Sequence, residues 1–356
     1  MTPGIRGVTP AFWRDKRVLL TGHTGFKGAW AALTLHAMGA KVSGLALPPE
    51  TEPSLYDLAG VSGVVPGGIA DLRVAGAVRS AVEACDPQIV LHMAAQALVR
   101  RSVREPVLTF DVNVGGAVTL LEALRGQKSL AAVLVITTDK VYENHETGRA
   151  FAENDPLGGR EPYSASKAAA EMVASSYART YFEPAGVPVA TARGGNVIGG
   201  GDFSEDRIVP DIWRASQRGV PVRLRYPDAI RPWQHVLDCI SGYLAYAQKL
   251  AQGGTKVRAL NIGPGAGDPL TVADLTRAIQ EAIGARDGFL VDDAPKTAEM
   301  STLTLETSLA RDVLGWHDRL AGRDAIAATA DWYKALAQRK DMRAFTLRQI
   351  EEHFLP

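Results

Sequence analysis

The chain has 356 residues, and its 39 Lys and Arg balance 39 Asp and Glu, so no broad electrostatic field points to nucleic acid or an anionic membrane surface. Apolar residues make up 46%, which excludes disorder, and the length predicts two domains or one large α/β unit with a smaller lobe. The only cysteines, Cys85 and Cys239, belong to no CxxC or His-rich cluster, so neither a disulfide framework nor a metal site is expected. Met1 to Lys16 has no apolar signal core, and the apolar runs near Ile89 to Val99 and Leu130 to Ile136 are interrupted or short. They predict a soluble cytoplasmic protein without a membrane partner.

Arg17 to Thr21 reads as a short buried strand, and Gly28 to Met38 shows helical apolar spacing up to Gly39, a helix stop. Strands follow at Lys41 to Leu47 and, more weakly, Val64 to Ile69, then a helix at Val74 to Cys85 and a strand at Gln88 to His92. Val107 to Arg125 predicts a long helix, Ala131 to Thr137 the most β-like run, Ser164 to Tyr181 a helix and Val187 to Ala192 a strand. This alternation is the pattern of a doubly wound parallel sheet with helices on both faces. Beyond Arg193 the texture changes to Gly194, Gly195 and Gly199 to Gly201, then Pro210, Pro221, Pro227 and Pro232, where the chain leaves the sheet for a second lobe. Ala259 to Ile262 returns, and Leu270 to Ile283 and Leu320 to Leu336 are helices of the lobe. The expected division is 1–192 with 233–262 for a dinucleotide-binding domain, and 193–232 with 263–356 for a substrate lobe.

Three glycines, Gly22, Gly25 and Gly28, punctuate the first strand-to-helix turn as GxxGxxG. A turn of this kind lets backbone N–H groups and a helix N-terminus approach a pyrophosphate that a Cβ would obstruct. Thr24, Phe26 and Lys27 belong to the same turn. Asp71 and Leu72 follow the third strand, where the carboxylate either accepts from an adenine amino group or caps a helix. Ala94, Ala95 and Gln96 follow the fourth with small side chains that admit a nucleotide. The acid that usually binds ribose after strand two is missing from Leu45 to Pro48, which leaves NAD and NADP open.

Tyr163 and Lys167 are four residues apart, on one face of a helix that begins near Tyr163. A lysine beside a phenol favours the phenolate, the arrangement of a base at a substrate hydroxyl. Thr138, Asp139 and Lys140 end the strongest strand, where ligands bind in open α/β sheets. A hydroxyl, a carboxylate and an amine there can share a substrate hydroxyl and move protons on neighbouring carbons. Alone, that segment also reads as a solvated loop.

Together Thr21 to Gly28, His92 to Gln96, Thr137 to Asn144, Arg193 to Asp202 and Arg231 to Val236 resemble the extended short-chain dehydrogenase/reductase superfamily. Within it they are similar to the branch that dehydrates CDP-glucose, from about Phe12 to Trp316. The resemblance implies a Rossmann-type fold with a smaller C-terminal α/β substrate lobe, and a tightly held NAD. It implies that Tyr163, aided by Lys167 and Thr138, deprotonates the C4 hydroxyl of the sugar. Asp139 would then protonate the departing C6 hydroxyl. Lys140, where many such dehydratases carry Glu, would be the C5 base or a fixed cation facing the enolate. Asn196, Arg207, Arg231 and His235 are carried over as substrate contacts, although Arg207 also reads as lobe packing and His235 as a buried core histidine. A homodimer through the helices at 107–125 and 163–181, or a homotetramer, is expected. The alternative is a dehydratase or 4-epimerase for a UDP-, dTDP- or GDP-linked sugar.

Overall fold

The computed structural model describes residues 7–265, 270–292 and 303–355. A short helix α1 (Pro10–Trp13) precedes β1 (Arg17–Thr21), which the glycine turn joins to α2 (Phe26–Ala37). β2 (Lys41–Ala46), α3 (Leu55–Leu58), β3 (Gly67–Ile69), α4 (Ala75–Cys85) and β4 (Ile89–His92) follow. Next come α5 (Val99–Arg104), α6 (Pro106–Phe110), α7 (Gly116–Leu124), β5 (Ala132–Thr138), α8 (Pro162–Tyr177) and β6 (Val189–Gly194). With β11 (Ala259–Ile262) these strands make one seven-stranded sheet in the order β11-β6-β5-β4-β1-β2-β3, and every pairing is parallel. β1, β4, β5 and β6 are nearly continuous apolar runs because helices cover both of their faces. The strand order reverses between β1 and β4, and the crevice of such a switch point lies beyond the carboxyl ends of the strands.

Two separate buried clusters pack the two faces, one containing Trp30, Leu20 and Tyr243, the other Leu19, Val90 and Leu120. α6 and α7 join through a wide turn at Asp111–Gly115, so the long helix expected at 107–125 runs from Pro106 to Leu124. By length and composition this helix could cross a bilayer, which the sequence survey overlooked. Here it packs against α4 and α8 as a wall of the fold.

The smaller lobe is built from short pairs: β7 (Asn196–Ile198) with β10 (Trp233–His235), β8 (Val222–Leu224) with β13 (Phe289–Val291), and β9 (Ile230–Arg231) with β12 (Leu270–Thr271). α9 (Ile208–Arg218), α11 (Val272–Ile283) and α13 (Arg323–Ala337) cover them. Four elements depart from expectation. The segment 233–235 pairs with β7 instead of rejoining the large sheet. α10 (Val236–Ala251), which packs under β5 and α2, is buried on nearly every side, so it has no broad exposed polar face of the kind that marks a surface helix. α14 (Met342–Phe354) packs on both α2 and the lobe helix α13, bridging the two parts, while α12 (Ser308–Leu314) packs on β11.

Candidate active site

A cleft of about 1140 Å³ opens over the carboxyl ends of β1, β4 and β5 and continues into the lobe. At the glycine turn, Gly22 has φ +80°, and a Cβ there would come within 2.7 Å of the Ala94 nitrogen. A Cβ on Gly28 would collide with the Gly22 carbonyl at 1.9 Å. Packing alone therefore requires these two glycines. Gly25 differs: it is exposed at the N-terminus of α2, a Cβ would meet only the Gly22 carbonyl at 3.5 Å, and no side chain caps the helix. An uncapped helix start under a bare glycine fits a pyrophosphate, whose charge the free N–H groups and the helix dipole favour.

Thr24 donates from Oγ1 to the Leu47 carbonyl at 2.8 Å, and with Phe26 and Lys27 it lines the cleft. Asp71, Leu72, Ala94 and Ala95 line it as well. Asp71 caps no helix. Its carboxylate accepts from Arg73 Nη2 at 2.5 Å, and that pairing holds its pKa below the usual range. Gln96 is buried behind the wall, where its Nε2 donates to Thr109 Oγ1 at 2.9 Å and its backbone N–H to Asn113 Oδ1 at 2.8 Å. Asn113 also donates from Nδ2 to Ser166 Oγ at 2.9 Å, tying this segment to α8.

The start of α8 places Tyr163. Glu161 accepts from the backbone N–H of Tyr163 at 2.7 Å and of Ser164 at 3.0 Å, and from the Ser164 hydroxyl, while Ser102 donates to its other side at 3.1 Å. One turn later Lys167 is buried, and its Nζ donates to the Ile136 carbonyl at 2.7 Å. Burial pushes the Lys167 amine down to about 7; nearby Lys27 adds to the shift and Glu171 opposes it. Tyr163 is pushed up to about 12 by burial, against the Thr138 hydroxyl and the Arg207 charge. Lysine was expected to draw the phenol towards neutrality. Lys167 is not among the groups that offset this burial; the expectation joined it with the positive nicotinamide ring.

Thr138, Lys140, Tyr163 and Lys167 face the cleft, but Asp139 does not: it is 0% exposed. Its Oδ1 accepts from Thr138 Oγ1 at 3.0 Å and from Lys140 Nζ at 3.0 Å, while Oδ2 has no partner. Lys140 Nζ also donates to Asn196 Oδ1 at 3.2 Å. Asn196, Arg207 and Arg231 line the lobe side of the cleft, with Arg207 3.6 Å from Asp202. His235 does not reach the cleft. It is fully buried, and its Nδ1 accepts the Leu237 N–H at the start of α10. Its Nε2 is buried without a hydrogen-bond partner among the described residues, so this core histidine is only half satisfied.

The sequence reading missed two groups. Arg100 and Arg104 of α5 pair across the cleft mouth with Asp206 at 2.6 Å and Glu205 at 2.9 Å. Beneath the floor, Glu171 and Arg193 form an enclosed ion pair at 2.5 Å. The first has no signal beyond scattered surface charge. The second does: Glu171 is four residues beyond Lys167 in a helix otherwise rich in Ala and Ser, and Arg193 ends a strand of buried small residues.

Residues 18–263 match the model of the NAD dependent epimerase/dehydratase family. The chain belongs to that family. It is of the extended short-chain dehydrogenase/reductase type, and the cofactor that strand two left open is NAD. Among family relatives, the chain is 41% identical over 348 residues to a CDP-glucose 4,6-dehydratase of Salmonella typhimurium, covering 96% of this chain and 97% of the relative. It is 32% identical to a dTDP-glucose 4,6-dehydratase of Streptomyces antibioticus, covering 89% and 92%. A crystal structure of a double mutant of the Streptomyces venezuelae dTDP-glucose 4,6-dehydratase DesIV, with NAD bound, superposes with a TM-score of 0.78 at 25% identity, covering 91% of this chain and 98% of that one.

Proposed function

We propose that the chain is a CDP-glucose 4,6-dehydratase, a hydro-lyase that converts CDP-D-glucose to CDP-4-dehydro-6-deoxy-D-glucose and water. The observation that carries this reading is the Asp139, Lys140 and Asn196 cluster beside Thr138 and Tyr163, in a chain 41% identical to the Salmonella enzyme. A 4-epimerase needs the tyrosine and lysine but no acid/base group for C5 and C6.

NAD, when bound, would accept the hydride from C4 and, once reduced, return it to C6 as a proton is returned to C5. Tyr163, with Thr138 sharing the hydroxyl, takes the proton from O4 as C4 is oxidised. A protonated Lys167 and the positive nicotinamide ring would favour the phenolate against its desolvation. The C4 ketone then acidifies the C5 proton. Lys140 is placed to take it: an amine has three substituent directions besides its carbon, and Asp139 and Asn196 occupy two. The third carries a lone pair towards the cleft in the free amine, or an N–H in the ammonium. The C5 proton passes through Lys140 to the C6 oxygen, which leaves as water. Asp139, sealed behind Lys140, acts on the C6 hydroxyl through that amine instead of touching it. In the rival role Lys140 stays a fixed ammonium facing the enolate oxygen.

Arg207 and Arg231, with planar forks that match paired phosphate oxygens, hold the nucleotide diphosphate, and Asn196 orients Lys140. Both cysteines are free and buried, as suits a reducing compartment. A homodimer or homotetramer places the exposed Val103, Val107, Phe110 and Met172 between subunits. Turnover of CDP-, dTDP-, UDP- and GDP-glucose, compared under one set of conditions, tests the substrate: CDP-glucose is preferred, and preference for another base overturns the cytidine assignment.

A further inference from the structure

Glu171 does not line the cleft, yet four polar contacts converge on its carboxylate. Its Oε1 accepts from Thr137 Oγ1 at 2.6 Å and Arg193 Nε at 2.8 Å, and its Oε2 from Arg193 Nη2 at 2.5 Å and Thr191 Oγ1 at 3.2 Å. Those four donors come from β5 and β6, while Glu171 itself sits on α8. Both partners are only 4% exposed. An ion pair this enclosed is a poor source of net stability, because desolvation consumes most of the attraction and apolar replacements are often neutral. Its retention beneath an active site therefore calls for another reason.

We infer that Glu171 and Arg193 are positioning residues that bolt the Tyr163 helix to the strand bearing Thr138. Thr137 precedes Thr138, and Lys167 and Glu171 follow Tyr163 at one and two helical turns on the same face. The bolt thus sets the spacing between the Tyr163 and Thr138 hydroxyls, which the reading of the function above makes the pair acting on O4. The remaining Arg193 donor, Nη1, reaches Tyr142 Oη at 2.8 Å and the Glu153 carbonyl at 2.9 Å. Tyr142 in turn donates to Asn261 Oδ1 at 2.6 Å, and Asn261 Nδ2 donates to the carbonyls of Phe151 at 2.9 Å and Glu306 at 3.0 Å. Leu303, beside that last segment, lines the cleft. One chain of hydrogen bonds connects the Tyr163 helix, the Thr138 strand and a substrate-side wall.

The charged or titratable groups that face Lys167 are Lys27 from α2, His92 from β4 and Glu171 from its own helix. Removing the Glu171 charge removes the one neighbour that favours the ammonium. The test compares wild type, E171Q, and the apolar pair E171L/R193M. In E171Q, kcat falls about tenfold to 100-fold, as expected for catalytic groups displaced by a fraction of an ångström to an ångström. KM and bound NAD stay within about twofold, and the Lys167 midpoint, followed by NMR of 13C-labelled lysine, moves to lower pH. E171L/R193M regains the thermal stability of the wild type but not its kcat, and it carries the test if E171Q does not fold. Wild-type kcat in the double variant, or an unchanged kcat and Lys167 midpoint in E171Q, overturns the inference. Failure of the wild type on CDP-glucose overturns the substrate reading alone, because the Lys167 midpoint needs no substrate.

Discussion

Lys140 and Asp139 are adjacent in sequence and 3.0 Å apart through Nζ and Oδ1, yet they face different media: the Lys140 side chain is 24% exposed and that of Asp139 0%. The amine meets the cleft with a carboxylate sealed behind it. For Lys140→Met, dehydration falls by about 100-fold or more, the usual scale for a lost general base. Running the reaction in deuterium oxide separates the two roles: a base variant stops exchanging the C5 proton, whereas unchanged exchange leaves Lys140 as a fixed cation only.

Asp139→Asn keeps the shape but removes the counter-charge of Lys140. Because Tyr163, Thr138 and Lys167 remain, the C4 oxidation persists in a single turnover and shows as nicotinamide absorbance. Elimination slows by about 100-fold, so the reduced cofactor accumulates. Equal loss of both steps contradicts the division of labour between the two sites.

The glycines separate packing from ligand binding. Gly28→Ala sets a Cβ against the Gly22 carbonyl and lowers thermal stability with or without cofactor. Gly25→Ala sits at φ −79° with open space around it, so the apo-protein keeps its melting temperature while NAD affinity drops by about tenfold or more, a cost of about 1.4 kcal/mol. Isothermal calorimetry and thermal unfolding check the pair.

Much of this was legible from sequence because the informative residues are local. The glycine turn, the Tyr163 and Lys167 spacing, and the end of β5 each lie within a few residues and carry their geometry with them. What was missed is non-local. Asp139 turning away from the cleft depends on Asn196, which arrives from β7 to share Lys140. The Glu171 and Arg193 pair joins a helix to a strand 22 residues on. His235 is a substrate contact only by carry-over from the family motif, and the start of α10 shows it instead as a cap. α14 on α2 could not be read from a helix pattern that names no partner.

Acid stability has a sign that follows from burial. Burial holds His23 at about 4, and His92, His235 and His353 at about 3, so an unfolded chain takes up protons that the folded one refuses. Their contribution is present above pH about 6.5 and is lost as pH falls through this window. Asp238, raised to about 6 by burial, acts in the opposite sense, adding stability at low pH that is lost as pH rises through 6. Glu153 and Asp211, also raised by burial, act in the same sense as Asp238, whereas Asp71, Asp155 and Glu306, held low by hydrogen bonds, act with the four histidines, and acid destabilises. His235→Asn keeps an acceptor for the Leu237 N–H but cannot charge, so its melting temperature falls less steeply between about pH 6.5 and 4. An unchanged slope means that His235 is not held neutral.

On the proposed function, this cleft removes water from the sugar of CDP-glucose by way of a C4 ketone begun at Tyr163. The most direct measurement incubates the NAD-loaded protein, and its Tyr163→Phe variant, with CDP-glucose and weighs the product by mass spectrometry. The account predicts a nucleotide sugar lighter by one water, with a 4-keto absorbance in alkali, and a rate at least about 100-fold lower in the variant. A product of unchanged mass, as an epimerase would give, or full activity without the tyrosine hydroxyl, contradicts it.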